Sequence, residues 1–155
     1  MKIYIIKYKD YKMIPFNKVD IVGNEKKYVN QAIDKGNLAG DGEFTKKCNQ
    51  FMENKFCAKK ALLTTYCTHA LDMAAILIDI KEGDEIILPS FTFSSTVTAI
   101  TLRGGTPVFI DIKEETLNIN EDLIEKEITS KTKAIFVVHY AGVSCDMDKI
   151  MNIAK

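Results

Sequence analysis

The stretch GDEIILPSFTFSSTVTAITLRGGTPVFIDI, residues 83–112, contains two apolar runs separated by a hydroxyl-rich segment. The first run, Glu85 to Leu88, is predicted to be a strand that Pro89 stops. Residues 94–103 are predicted to form a helix that a glycine pair ends, and Pro107 to Ile112 a second strand. A strand, a helix and a strand in this order are typical of a right-handed crossover between parallel strands. The stretch therefore predicts an α/β fold.

The segments on either side extend this alternation. Residues 61–65 (ALLTT) are predicted to form a short buried strand, and a helix from Thr68 to about Asp79 is apolar nearly all round, so it is expected to be buried. Asn120 is a predicted helix N-cap, and the AIFVV run within Lys133–His139 is typical of a strand buried on both faces. We expect a mostly parallel sheet flanked by helices, with ligands beyond the carboxyl ends of its strands.

Amphipathic helices are expected nearer both ends of the chain. The first runs from Glu25 to about Gly36, the second has an apolar stripe from Phe44 to Phe56, and the last begins at about Met147. Residues 1–12 alternate Ile or Tyr with Lys and are interpreted as an N-terminal extension, either an edge strand or a non-native segment. Residues 13–155 are interpreted as one incomplete domain, because a helix after a core strand normally leads to another strand.

Composition excludes several classes of protein. The 155 residues include 21 basic and 21 acidic side chains, so the formal net charge of zero predicts no long-range attraction to nucleic acid or anionic lipid. No apolar run approaches the roughly 20 residues that span a bilayer. The four cysteines form no CxxC pair and, without a recognisable signal peptide, are expected to be free thiols of a cytoplasmic protein. No Cys and His spacing predicts a metal site.

Three predicted strand ends carry chemically useful side chains. After residues 61–65 a tight turn leads into a helix whose first N–H groups favour a phosphate, and Thr68 either adds a hydroxyl or only caps the helix. Phe91 and Phe93 either stack on a planar ligand or belong to the core. His139 is a general base, a donor to ligand or a structural residue. No GxGxxG or GxxxxGK[ST] sequence supports a Rossmann dinucleotide site or a P-loop.

Five strings in register resemble nucleotide-sugar aminotransferases of the DegT/StrS family, and the resemblance covers residues 13–155. The strings are Met13–Asn17, Gly40–Thr45, Cys67–Thr68, Gly83–Glu85 leading to Pro89–Phe93, and Val138–Gly142. The resemblance implies the aspartate-aminotransferase (type I) fold, of which this chain is the N-terminal half of the large domain. It also implies the cofactor pyridoxal 5′-phosphate (PLP).

The resemblance further implies roles for individual residues. It puts Cys67, Thr68 and His69 at the cofactor phosphate and Phe93 against the pyridine ring. Asp41, His139 and Tyr140 are expected near the substrate or a dimer interface. No catalytic residue is assigned to this chain, because the Schiff-base lysine and the aspartate that pairs with the pyridine nitrogen are expected after Lys155.

The implied reaction is transfer of an amino group, from glutamate as the expected donor, to a dTDP-4-keto-6-deoxyhexose for surface polysaccharide synthesis. A homodimer is expected, and the 155 residues alone are expected to be inactive. Three alternatives remain: a pyridoxamine-dependent nucleotide-sugar dehydratase in which the lysine is replaced, a non-catalytic remnant or interaction module, and an unrelated Rossmann-like binding domain.

Overall fold

The computed structural model describes Pro15 and residues 17–155. Five α-helices and three strands, with three short 3-10 turns, occur in this part of the chain: α1 (Glu25–Asp34), α2 (Glu43–Phe56), α3 (Cys67–Leu77), β1 (Glu85–Pro89), α4 (Ser94–Thr101), β2 (Thr106–Ile110), 3-10 turns Glu121–Leu123 and Glu125–Glu127, β3 (Thr132–Ile135), the 3-10 turn Tyr140–Gly142, and α5 (Met147–Ile153). The predicted extension 1–12, and three residues of the first family string (Met13, Ile14 and Phe16), lie outside the described residues.

The three strands form a parallel sheet in the order β2–β1–β3. Glu85 at the start of β1 pairs with Thr106 of β2 on one side and with Thr132 of β3 on the other. The helix α4 connects β1 to β2, as the hydroxyl-rich segment between two apolar runs predicts. The α/β fold with a parallel sheet flanked by helices is therefore confirmed.

Strand β1 lies in the middle of the sheet and supplies both faces of the core. Ile86, Ile87 and Leu88 are each 0% exposed. Successive side chains of a strand point to opposite faces. Ile86 and Leu88 accordingly pack with residues of α3 and α4, whereas Ile87 packs with Ile110 and with residues of the 119–124 segment and α5. The sheet is thus covered on both faces, as a continuous apolar strand predicts.

The AIFVV run shows the same alternation at the edge of the sheet. Ala134 and Phe136 pack on the face covered by α3 and α4, and Ile135 and Val137 pack on the opposite face. The paired strand ends at Ile135, although the N–H of Phe136 still donates to the carbonyl of Ile87 at 2.7 Å. The run faces both layers as predicted, but its side chains are only half-buried, because β3 has a neighbouring strand on one side among the described residues.

The predicted strand at residues 61–65 is wrong. These residues have no strand partner in the described part of the chain, and Leu62 and Leu63 are more than half exposed. The N–H of Ala61 donates to the side chain of Glu53, and the N–H of Leu63 donates to that of Asn49, both on α2. The apolar run is extended, but its hydrogen bonds go to side chains instead of to a sheet.

The expected burial of α3 is also wrong in part. Ala75 is the one fully buried residue of this helix, and Ile76 and Leu77 near its end are mostly exposed. The helix packs on the sheet through Leu71 and Ala75. A helix that contacts a sheet on one side buries only that side, whatever the composition of the other side.

The predicted N-cap at Asn120 is confirmed, since its side chain accepts a hydrogen bond from the N–H of Asp122 at 3.1 Å. The segment that follows forms two 3-10 turns and no α-helix. Ile119 and Ile124 on either side of the cap are both fully buried in the core. The cap therefore anchors a turn against the sheet and does not start a long helix.

The chain divides into two compact units between Leu63 and Thr64, and the sheet belongs to the second unit. The first unit contains α1 and α2, and neither helix has a buried residue. Tyr28 of α1 meets Phe44 of α2 edge to face, with ring centroids 5.4 Å apart. Helix α1 ends as predicted near Gly36, which has a φ of +70° and donates its N–H to the carbonyl of Ile33.

Within Pro15 and residues 17–155, no helix is both long enough and apolar enough to cross a membrane. The same residues contain no group of three or more His, Cys, Asp or Glu side chains that is arranged to hold a metal ion.

Candidate active site

Three of the predicted strand-end segments meet around one cleft of about 770 Å³ in the unit Thr64–Lys155. The lining comes from residues at 66–71, 91–96 and 137–140, and it includes the candidate site residues Cys67, Thr68, Phe93, His139 and Tyr140. The carboxyl ends of parallel strands share one edge of a sheet, which brings the second and third segments together. The start of α3 completes the cleft.

The start of α3 offers unpaired N–H groups. Tyr66 is the N-cap, with an extended backbone and no side-chain cap hydrogen bond. Its carbonyl accepts from the N–H groups of His69 and Ala70, and no acceptor for the N–H of Cys67 or Thr68 lies among the described residues. Such N–H groups, together with the helix dipole, form a site for an anion.

His69 is not among the residues that line the cleft. Its Nδ1 lies 2.8 Å from the hydroxyl of Thr65, and its ring meets Tyr66 edge to face with centroids 5.4 Å apart. Its N–H is used within the first turn of α3. The side chain of His69 therefore lies against the turn that precedes the helix, whereas Cys67 and Thr68 face the cleft.

Two aromatic residues from the end of β1 line the cleft. Phe93 precedes α4 and is 76% exposed, which is unusual for a residue expected in a core. Phe91 is less exposed because its ring contacts Tyr140, with centroids 5.2 Å apart. The hydroxyls of Thr92 and Thr96, which also line the cleft, share a hydrogen bond of 2.9 Å. The open ring of Phe93 is thus free to contact a planar ligand.

The His139–Tyr140 segment is held by residues outside the cleft. Nδ1 of His139 accepts from the N–H of Cys145 at 3.0 Å. Asn118, only 3% exposed, accepts from the N–H of Tyr140 at 2.9 Å and donates to the carbonyl of Val143 at 3.0 Å. Asn118 is not among the residues predicted from the sequence, where its one signal is a polar side chain between Leu117 and Ile119, just before the predicted cap Asn120.

Asp41 lies in the other compact unit, in the loop between α1 and α2, with a left-handed φ of 61°. Its carboxylate is 3.9 Å from Nζ of Lys46. It lines a separate cleft with residues of α2 and with Lys60. Its predicted role near a substrate stays a prediction.

The side chains that line the cleft include polar and aromatic groups. Among the described residues that line it, there are hydroxyls, a thiol, an imidazole and aromatic rings, but no lysine and no carboxylate. The arrangement can bind an anion through N–H groups and hydroxyls, and a flat ring through aromatic contact.

Comparison with known proteins identifies a family. Residues 19–155 match the DegT/DnrJ/EryC1/StrS aminotransferase family. The chain is 38% identical over 148 residues to GDP-perosamine synthase from Escherichia coli O157:H7. The alignment covers 93% of this chain and 40% of that protein.

Two solved structures show the same fold. The aminotransferase from Psychrobacter cryohalolentis superimposes with a TM-score of 0.83 at 33% identity, over 90% of this chain and 36% of that one. The GDP-4-keto-6-deoxy-D-mannose-3-dehydratase of E. coli with bound hydrated PLP has a TM-score of 0.81 at 26% identity. The match covers 90% of this chain and 37% of that one.

This chain spans less than half the length of each of these relatives. The family match nevertheless extends over nearly all of it, and the solved structures share its fold across nine tenths of its length. PLP is the cofactor of the aminotransferases of this family. The chain belongs to the DegT/DnrJ/EryC1/StrS aminotransferase family.

Proposed function

We propose that the cleft binds PLP and forms part of the active site of a nucleotide-sugar aminotransferase. The observation that carries this proposal is that the unpaired N–H groups at the start of α3 and the exposed ring of Phe93 line the same cleft. PLP has two parts, a phosphate and a flat ring, that match these two features. A cleft of about 770 Å³ is also within the usual range for small-molecule sites.

The phosphate contact is proposed for the N–H groups of Cys67 and Thr68, with the hydroxyl of Thr68 as a third donor. The N-terminus of α3 attracts a phosphate because the helix dipole adds to these hydrogen bonds. No carboxylate among the described lining residues opposes the negative charge. The family resemblance also implies His69 at the phosphate. Because its ring is hydrogen-bonded to Thr65, we propose that His69 stabilises the turn and does not contact the phosphate.

The ring contact is proposed for Phe93. An exposed aromatic side chain on the wall of a cleft gains favourable contact when a planar ligand covers it. When bound, PLP supplies an electron sink for the reacting carbon. The residues of this chain then hold the phosphate, cover one face of the ring and exclude water from it.

The proposed substrates are a nucleotide-linked 4-keto-6-deoxyhexose and an amino-acid donor, with glutamate as the expected donor. The family resemblance favours a dTDP-linked sugar, whereas the relative GDP-perosamine synthase carries GDP in its name. Asp41, His139 and Tyr140 remain the proposed substrate-side residues. The exposed apolar side chains of α2 support the proposed homodimer, and the free thiols support the proposed cytoplasmic location.

A dehydratase is the second candidate, because the fold also matches GDP-4-keto-6-deoxy-D-mannose-3-dehydratase at a TM-score of 0.81. That dehydratase also contains PLP, so a cleft that binds PLP fits either activity. The products differ: an aminotransferase gives an amino sugar, and a dehydratase gives a deoxygenated keto sugar.

Binding of PLP to the purified chain tests the cofactor site. Amide resonances of Cys67 and Thr68 should shift on titration with PLP and much less with pyridoxal, which lacks the phosphate. Replacing Phe93 with Ala should weaken PLP binding about tenfold, the loss expected for one aromatic contact of about 1.5 kcal/mol. The matched control is Phe51→Ala, which removes a ring of α2 that is 63% exposed. Equal effects of the two variants, or equal shifts by PLP and pyridoxal, would contradict the proposal.

Activity of the chain tests the expected position of the reactive lysine. Residues 1–155 should transfer no amino group from glutamate to dTDP-linked or GDP-linked keto sugars, and borohydride treatment with PLP should fix no cofactor mass on a single lysine. Reproducible modification of one lysine, together with amino transfer, would show that the chain contains a catalytic lysine that the family resemblance does not identify.

A further inference from the structure

The side chain of His139 has one ring nitrogen in a hydrogen bond and a second with no partner among the described residues. Nδ1 accepts a hydrogen bond from the N–H of Cys145 at 3.0 Å, and the residue lines the cleft beside Tyr140. No acceptor for Nε2 lies among the described residues. A backbone N–H can only donate, so Nδ1 must carry a lone pair, and the proton of the neutral imidazole then resides on Nε2.

The Cys145 amide that fixes this state is itself held in place. Cys145 is buried, and its thiol donates to the carbonyl of Val138 at 3.2 Å. Burial raises the pKa of the Cys145 thiol, which keeps the proton on sulfur for that bond. The hydroxyl of Ser144 donates to the carbonyl of Cys145 at 2.8 Å. The N–H that meets His139 therefore belongs to a segment with little freedom to turn away.

Asn118 closes the arrangement from the other side. Its amide bridges the N–H of Tyr140 and the carbonyl of Val143, the two ends of a turn in which Ala141 and Gly142 both have left-handed backbone angles. His139 precedes this turn and Cys145 follows it. One buried side chain thus fixes the separation between the imidazole and the amide that orients it, which makes Asn118 a positioning residue.

We propose that His139 is a neutral imidazole protonated on Nε2 that donates a hydrogen bond from Nε2 to an oxygen atom of the molecule bound in the cleft. This proposal rests on the proposed function, because it requires a ligand in the cleft. Of the roles that the sequence leaves open for His139, general base, donor to ligand and structural residue, the proposal selects the donor. A ring nitrogen that already carries a proton can donate a hydrogen bond but cannot act as a general base. The acceptor is an oxygen of PLP or of the sugar, and the two are distinguished by separate titrations.

Nitrogen-15 spectroscopy of the imidazoles in the unmodified chain tests the first half of the proposal. The chain has two histidines, so a His69→Gln variant assigns the signals. Without ligand, Nδ1 of His139 should resonate as an unprotonated ring nitrogen and Nε2 as a protonated one. A spectrum with Nδ1 protonated, or with both nitrogens protonated at neutral pH, would overturn the proposal.

Titration with PLP, and separately with dTDP-glucose and GDP-mannose, tests the second half. At least one probe should shift the Nε2–H signal of His139, and the probe that does so identifies the source of the oxygen. Replacing His139 with Asn leaves an oxygen that can accept from the Cys145 N–H but removes the Nε2 donor. This variant should bind that probe about threefold to tenfold more weakly, the range for one hydrogen bond. Equal binding of the probe by the variant and by the parent chain would overturn the donor role.

The outcomes separate this inference from the proposed function. If PLP shifts the amide signals of Cys67 and Thr68 but no probe shifts Nε2 of His139, the donor role is wrong and the cofactor site stands. If no probe shifts either set of signals, both are wrong. If a probe shifts Nε2 of His139 while PLP leaves Cys67 and Thr68 unaffected, the donor role stands without the phosphate site.

Discussion

The two compact units of the chain contain similar amphipathic sequences but bury them very differently. Among the described residues, every buried apolar side chain lies between Ala75 and Ile150, in the unit that contains the sheet. In the other unit, the apolar stripe of α2, from Phe44 to Phe56, contains no buried residue. A repeating apolar pattern therefore predicts that a helix forms, but it does not predict that anything covers it.

The difference has a geometric cause. Strand β1 has a strand on each side and a layer of other elements on each face, so its side chains lose all contact with water. Two helices that meet along one edge, such as α1 and α2 at Tyr28 and Phe44, cover only a narrow strip of each other. Because stabilisation follows the apolar area removed from water, the unit Thr64–Lys155 should contribute most of the stability.

The largest expected effect is loss of a buried side chain of β1. Ile86→Ala should lower the free energy of unfolding by about 2–5 kcal/mol, because the substitution removes fully buried apolar groups and leaves a cavity. The matched change in the other unit is Val29→Ala, at a residue of α1 that is 57% exposed, and it should cost less than about 0.5 kcal/mol. Urea unfolding followed by circular dichroism measures both, and equal losses would show that α1 is as well packed as β1.

Thiol reactivity provides a second comparison. Cys48 and Cys57 in the first unit, and Cys67 at the cleft, are exposed, whereas Cys145 is buried. Cys145 should react with a disulfide reagent at least about a hundredfold more slowly, which corresponds to an opening free energy of about 3 kcal/mol. Its raised pKa lowers the thiolate fraction further.

All four cysteines should react once the chain is unfolded without reductant, as expected for free thiols. Fewer than four reactive groups would reveal a disulfide. A reaction of Cys145 as fast as that of Cys48 would show that the core around α5 opens as readily as the surface of α2.

A third comparison uses two glycines. A Cβ atom at Gly105 would lie 2.7 Å from a methyl carbon of Ile80 and 2.9 Å from one of Ile100. Gly105→Ala should therefore cost about 1–3 kcal/mol through overpacking. At Gly40, in the first unit, an added Cβ would meet no atom within 4 Å. Gly40→Ala should leave the unfolding midpoint nearly unchanged, and a comparable loss at both sites would contradict the difference in packing.

The smallest expected effect is electrostatic. The side chain of Lys133 bonds to Asp84 at 2.8 Å and, with the N–H of Lys81, lowers the pKa of Asp84 below its usual 3.8. A lowered carboxyl pKa contributes stability above pH 3.8 that is lost as the pH falls through the folded value. Asp84→Asn should be slightly less stable than the parent chain at pH 7, and the difference should disappear in acid.

The counterpart in the first unit is Glu53, whose pKa is lowered by the N–H of Ala61 and then by Lys60. Glu53→Gln should show a pH dependence of the same sign, because solvent screens both groups to a similar degree. A large effect of one substitution without the other would mean that charges, as well as burial, distinguish the two units.

Local signals predicted much of the fold. Pro89 and the Gly104–Gly105 pair bound β1 and α4 nearly where the sequence indicates. Asn120 is a cap as expected, although it begins a 3-10 turn and not the predicted helix. Residues 61–65 were misassigned because an apolar run does not reveal whether a neighbouring strand exists. Strand formation depends on a partner that is distant in sequence, and here the N–H groups bond to side chains of α2 instead.

The candidate site shows the same division. Parallel strands place their carboxyl ends at one edge, so the sequence was sufficient to predict that Phe93 and His139 lie at the same edge of the sheet. The supports of that site were not predictable. Asn118 bonds to Tyr140 and Val143 across more than 20 residues of chain, and the bond from Cys145 to His139 depends on the turn between them.

The three-segment construction of the cleft has a consequence for synthesis of the chain. Thr68 belongs to the first of the three segments and Tyr140 to the last. The rings of Phe91 and Tyr140 are in contact and join the second segment to the third. A ribosome adds about 5–20 residues per second, so Phe91 and Phe93 emerge a few seconds before the strand and turn that complete the cleft. During that interval a nascent chain carries two aromatic rings and an uncovered edge of β1. The same residues that are open to a ligand in the folded chain are then open to chaperones and to other nascent chains.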